Sequence, residues 1–119
     1  MGHNQRIGEF GETLAKNYLI KHGYKIIDAN VKLSYQELDV VALKDDQVVF
    51  VEVKTRISQF YGPAENAFQY TKLQRFRLGM EMYIGHKNLQ AEDVRADLIT
   101  VDIDHIKKTA KIRHYKDVI

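Results

Sequence analysis

The 119-residue chain is about the length of one domain with a single modest core, and its 45% hydrophobic and 29% charged residues match an ordinary soluble globular protein. The absence of cysteine excludes disulfides and thiolate metal sites, while a net charge of +2 neither demands nor forbids a nucleic-acid partner, because phosphate binding depends on local Lys and Arg clusters. No apolar run approaches the roughly 18 residues of a membrane span and the first residues form no apolar signal core, so no membrane association and a cytoplasmic location are the expectation.

Residues 4–22 read as a helix, with Ile7, Phe10, Leu14, Tyr18 and Leu19 on one face and Gly23 as its stop. Residues 24–31 read as a first strand, 37–43 as a second and 48–54 as a third. Asp45 and Asp46 make a tight two-residue turn between the last two. Gly62-Pro63 marks a loop. Residues 64–84 then read as a long helix whose buried stripe is Leu73, Phe76, Met80, Tyr83 and Ile84. Residues 96–103 read as another strand and 110–115 as a last, edge-like one. The order αβββαββ, without repeats or linkers, predicts one mixed α/β layer system over residues 1–119.

The chemistry concentrates in the second and third strands. Period-two alternation sets Glu37, Asp39, Val41 and Leu43 on one face, with Val48, Phe50, Glu52 and Lys54 beside them. The other face, Leu38, Val40, Ala42, Val49, Val51 and Val53, is wholly apolar. Closing the hairpin at Asp45-Asp46 predicts Asp39 opposite Glu52 and Glu37 opposite Lys54, with Cβ atoms about 4.5–5.5 Å apart. Two carboxylates at about 5 Å repel by roughly 3 kcal/mol at an effective dielectric of about 20. A shared proton, the Lys54 ammonium or a bridging divalent cation each relieves that repulsion. A charged strand face is ordinarily solvated or engaged in cross-strand pairs, but this one is shared with Val41, Leu43, Val48 and Phe50. All-oxygen ligands suit Mg²⁺ or Mn²⁺. A metal on two carboxylates with a nearby Lys is the equipment of phosphodiester hydrolysis.

Asp39 followed by Val51-Glu52-Val53-Lys54 resembles the Asp…(Asp/Glu)-x-Lys motif of the PD-(D/E)XK nuclease superfamily. Gly8-x-x-Gly11-Glu12, Gly23-Tyr24, Asn30, Glu37-Leu38-Asp39 and Phe50 to Arg56 sharpen the likeness to the YraN-like family of small bacterial proteins, which resemble Holliday-junction resolvases. The resemblance implies a restriction-endonuclease-like fold, a mixed β-sheet flanked by helices, with Glu12, Asp39, Glu52 and Lys54 in the active site. Asp39, Glu52 and Glu12 are the implied metal ligands. Lys72 matches a basic position of the family. Gln36 stands where the family usually has Gly, and Arg95-Ala96-Asp97 lacks the aromatic the family tends to place before the Asp; neither departure removes a proposed ligand.

Arg56, Tyr61, Lys72 and Arg75, with Arg77, form the candidate nucleic-acid contacts, since basic groups with an aromatic suit phosphate and base contacts. A solvated helix face is the ordinary reading of Arg75 and Arg77, snorkelling accounts equally for Lys72, and for Gln69 a buried hydrogen bond to backbone is expected. His3, His22, His86, His105 and His114 show no ligand spacing and read as surface residues. The expected function is a metal-dependent DNA endonuclease, with branched and damaged DNA among its candidate substrates. The alternatives are a nucleic-acid-binding module of the same fold without catalysis and a protein whose carboxylates form structural ion pairs. A homodimer would suit the cutting of two strands.

Overall fold

The computed structural model describes residues 3–57 and 70–118, with side chains from Arg6 onward and, in the second helix, from Leu73. The elements are α1 (His3–Lys21), β1 (Lys25–Leu33), β2 (Gln36–Lys44), β3 (Gln47–Ile57), α2 (Tyr70–Lys87), β4 (Val94–Asp104) and β5 (Thr109–Tyr115). This is the αβββαββ order expected from the sequence. Tyr61, Gln69 and the predicted first turns of the second helix lie outside the described residues.

Five strands form one sheet in the order β1-β2-β3-β4-β5. The β1–β2, β2–β3 and β4–β5 pairs are antiparallel, and β3–β4 is parallel. A parallel pair needs a crossover, which α2 supplies. Two-residue connections make both early hairpins. Asp45 and Asp46 both take positive φ, as a type I′ turn requires, and Ser34 does so in the β1–β2 turn. Helix α1 ends at Gly23, whose φ of 89° completes a Schellman motif: Tyr24 N–H donates to Leu19 O at 2.9 Å and Gly23 N–H to Ile20 O at 3.1 Å.

The sheet has a core on each face. Against α1 lie Val40, Ala42, Val49, Val51, Val53, Ile99, Val101 and Ile103, with Ala15 and Leu19 from the helix. Against α2 lie Leu38, Val41, Val48, Phe50 and Ala96, with Phe76 and Tyr83. The α2 stripe agrees with its periodicity. The α1 stripe departs at Phe10 alone: Leu19 is buried and Ile7, Leu14 and Tyr18 pack against the core, but Phe10 is 53% exposed, and Gly11 and Ala15 join Leu19 in the buried line. The reason is closeness. A Cβ on Gly11 would run into the Thr55 side chain, so the small side of the helix, not its bulkiest side, sits on β3.

Leu38 also departs from expectation, lying on the α2 face and not beside Val40. Ala29 pairs with Val40 and Val31 with Leu38, but Asn30 and Asp39 between them are not ladder partners. Asn30 has φ 51°, in the left-handed region that Asn tolerates better than most residues. Alternation therefore changes phase at this step in both strands. Beyond it, Val31, Leu33, Gln36 and Leu38 turn toward α2, where a Cβ on Gly79 would lie 3.2 Å from Leu38 Cδ2 and 3.4 Å from Gln36 Cβ.

Candidate functional site

The β2–β3 ladder runs from the turn to Val40↔Val51. One more step would oppose Asp39 to Glu52, and three more Glu37 to Lys54. Neither pair forms in the ladder. In a continued ladder the Val53 N–H would go to the Leu38 carbonyl, since hydrogen-bonded pairs alternate along an antiparallel ladder. It instead donates to Asp39 Oδ2 at 2.9 Å. The side chain takes the place of a backbone acceptor, and the strands part at that point. The Asp39 carboxylate is thereby fixed beside the peptide linking Glu52 to Val53.

Regular pairing of β3 with β4 keeps Glu52 and Lys54 on the face of Phe50, toward α2. Glu52 is 2% exposed. Glu37 faces the other way: with Glu9, Glu12, Thr13, Lys16 and Asn30 it lines a polar cavity of about 380 Å³ on the α1 side. The expected shared face of Glu37 and Lys54 is therefore corrected: β2 changes phase at Asp39, opposite Asn30 of β1.

Glu12 follows Gly11, the point where α1 touches Thr55 of β3. Its Oε1 is buried and has no hydrogen-bond partner. Burial, and then the neighbouring Asp39 carboxylate, push the Glu12 carboxyl up to about 7, with Lys16 opposing. The helix thus brings an acid within electrostatic reach of Asp39 from the α1 side, while Glu52 and Lys54 stand on the α2 side. Asp39 occupies the seam between them. Among the described residues, no three His, Asp or Glu side chains stand together as a ready metal cage.

The expected nucleic-acid contacts are dispersed. Arg56 is 9% exposed, with Nε 3.7 Å from Asp102 Oδ1. It is an interior cation, not a surface one. Arg75 and Arg77 are exposed on α2. The backbone of Lys72 belongs to α2, but its side chain lies outside the described residues.

A buried polar cluster also forms where the sequence reading expected none. Asp97, wholly buried, receives Arg95 Nε and Nη2 at 2.9 Å each and the Asp117 N–H at 2.9 Å, and it lies 2.7 Å from His114 Nε2. Tyr24 Oη accepts from Arg95 Nη2 at 2.8 Å, and the Tyr18 hydroxyl sits 3.3 Å from His114 Nδ1. His114 is therefore an interior residue, contrary to the expectation that every histidine is on the surface. Burial raises the Asp97 carboxyl, but hydrogen bonds from His114, Arg95 and the Asp117 amide outweigh it and hold it below the ordinary carboxylate range. The spacing Arg95-x-Asp97 puts both on one strand face and was the available signal. Its partner on β5 depended on the register.

The model of the family described as "Uncharacterised protein family UPF0102" matches residues 11–101. A UPF0102 protein of Rhodococcus opacus is 37% identical over 117 residues, covering 98% of each chain. One from Alkaliphilus oremlandii is 34% identical over 114 residues, covering 96% of this chain and 97% of its own. Among solved structures, that of a FdxN element excision controlling factor protein from Anabaena variabilis superposes with a TM-score of 0.52 at 16% identity. It covers 90% of this chain and 98% of its own, a likeness of fold.

Proposed function

Because the chain belongs to the UPF0102 family, part of the broader PD-(D/E)XK-related nuclease superfamily, we propose that it is a divalent-metal-dependent endodeoxyribonuclease acting at the parted β2–β3 seam. The observation that carries this reading is the Asp39 carboxylate anchored 2.9 Å from the Val53 amide, between Glu52 and the Glu12 that it perturbs.

The donor chemistry suits a hard cation. Glu12, Asp39 and Glu52 offer oxygens alone; because Glu12 stands on the α1 side and Glu52 on the α2 side, a cation on Asp39 would be completed by one of them and by waters, and Glu12 Oε1 is buried without a hydrogen-bond partner. Mg²⁺ commonly takes one or two carboxylates and keeps waters, so a prebuilt cage of three is not required. When bound, Mg²⁺ or Mn²⁺ supplies Lewis acidity toward a phosphoryl oxygen and acidifies a water. The chain's own residues do the rest. Asp39, held by the Val53 amide, keeps its carboxylate at the seam. Glu12, with its carboxyl at about 7, exchanges a proton near neutrality. Lys54, two residues from Glu52 on the same face, sets positive charge where the phosphodiester gains negative charge, or takes a proton from the attacking water. DNA as substrate, a cytoplasmic location and a two-fold dimer suited to two strands belong to the same proposal.

The test is cleavage of linear duplex, single-stranded and four-way-junction DNA with Mg²⁺ or Mn²⁺, by the wild-type chain and by Asp39→Ala and Glu52→Ala. Metal-dependent cleavage lost in both variants is the expected result. Binding without cleavage would identify a nucleic-acid-binding module, and neither binding nor cleavage would refute the reading.

A further inference from the structure

The α2-side core cluster includes Phe50 on β3 and Ala96 on β4. Farther along the same face, each strand turns polar. Cross-strand register arranges the next residues in rows running from β3 to β5: Glu52, Leu98, Tyr115; then Lys54, Thr100, Arg113; then Arg56, Asp102, Lys111. The face is secure for β5, because the alternate residues Ile112 and His114 belong to the α1 side, with the core and with Tyr18 respectively. Helix α2 packs chiefly on β2 and β1.

We propose that the edge strand β5 is a second part of the nucleic-acid interface, with Lys111 and Arg113 gripping the phosphodiester backbone of duplex DNA whose scissile bond lies at Glu52 and Lys54. Three features point to a polyanion. The two outer rows put Lys54, Arg113 and Lys111 on this face beside one acid, Asp102. That acid is already engaged, with Oδ1 3.7 Å from Arg56 Nε and Oδ2 4.0 Å from Arg113 Nη1. Lys111 is exposed, and the Arg113 side chain is 41% exposed, so both reach solvent while the sheet fixes their spacing. Between Lys54 and Arg113 lies Thr100, wholly buried, whose hydroxyl has no hydrogen-bond partner.

The distances fit. Neighbouring strands stand about 4.8 Å apart, so β5 lies roughly 10 Å from β3. A backbone crossing the rows thus meets Lys54 and then Arg113 while staying on one face. The arrangement positions a duplex without reading its sequence, as phosphate contacts do.

This inference rests on the nuclease reading, and its test separates the two. Duplex DNA labelled with a fluorophore is titrated by anisotropy across a salt series, in EDTA, with the wild-type chain, a Lys111→Ala/Arg113→Ala pair and a Lys21→Ala/Lys25→Ala control pair. Each phosphate contact contributes roughly 0.9 to the slope of log K against log salt, so the β5 alanine pair should flatten it by about 1.8. The control pair should keep the wild-type slope. A Lys111→Arg/Arg113→Lys pair should keep it too, which separates lost charge from a disturbed edge strand. An unchanged slope in the β5 alanine pair, or an equal drop in the control pair, overturns the β5 interface. If the wild-type chain still cleaves DNA, the nuclease reading survives that result. A wild-type chain that neither binds nor cuts DNA removes both.

Discussion

At Glu12 the two forces on the carboxyl act together: partial burial disfavours the charge, and Asp39 disfavours it again. The sign for stability follows. With its folded value raised from 4.5 to about 7, Glu12 loses its proton later in the folded chain than in the unfolded one. Its contribution to stability therefore falls as pH rises between those values. We expect Glu12→Gln to melt above the wild type at pH 8 in EDTA and close to it at pH 5, as scanning calorimetry would register. A wild-type melting point that climbs from pH 5 to pH 8 by the same amount as the variant's would contradict the raised value. Protons compete with cations at such a carboxyl, so Mg²⁺ affinity under the proposed function should rise as pH passes 7 and lose that rise in Glu12→Gln. Isothermal titration at pH 6 and pH 8 reads it.

Two single residues shape the elements around that acid. Gly11 lets α1 sit on Thr55, and an alanine there must displace one or the other. We expect Gly11→Ala to destabilise the chain by about 1–3 kcal/mol in urea unfolding, despite the better helix propensity of alanine. Asn30 carries the left-handed step at which β1 and β2 change phase. Gly tolerates that backbone, and a β-branched residue does not. Asn30→Gly should unfold near the wild-type denaturant midpoint, and Asn30→Val at least about 1–2 kcal/mol sooner. Equal stabilities would mean that the left-handed step carries no strain for valine.

These elements also show what was legible beforehand. The α2 stripe, both aspartates of the β2–β3 turn and the stop at Gly23 follow from local pattern, and the structure agrees with each. The pairing of Asp39 with Glu52 does not survive: alternation in β2 changes phase between Leu38 and Val40, opposite the left-handed Asn30 of β1. Asn30 was noted as part of a family resemblance, and nothing in its own segment announces a change of phase. Phe10 was placed in the core by its apolarity, whereas Gly11 takes the buried line because it allows contact.

For the whole molecule, the Asp97 cluster joins what the sequence keeps far apart. It links Tyr18 on α1, Tyr24 at the start of β1, Arg95 and Asp97 on β4, His114 on β5 and the amide of Asp117. Removing the central carboxylate leaves buried donors without an acceptor. Asp97→Ala should cost about 3–5 kcal/mol by denaturant unfolding. Asp97 is held below the ordinary carboxylate range, so its stabilisation is present above that range and is lost as pH falls through its folded value. Melting curves from pH 7 down to pH 3 should therefore fall more steeply for the wild type than for Asp97→Asn. Parallel curves would show that the carboxylate's charge is not what the cluster needs.

The chain's own pattern determined the order of elements, the α2 stripe and the candidacy of Asp39, Glu52 and Lys54, because periodicity and turn chemistry act over a few neighbouring residues; Glu12 entered through the family resemblance. Tertiary structure decided which side of the sheet each acid takes, that Asp39 caps the Val53 amide, that Arg56 and His114 are interior, and that β5 shares a face with Lys54. Each of those depends on register and on contact between distant segments. The face that local alternation assigns to Glu37 is reversed at a step that β2 shares with its neighbour β1, opposite the left-handed Asn30.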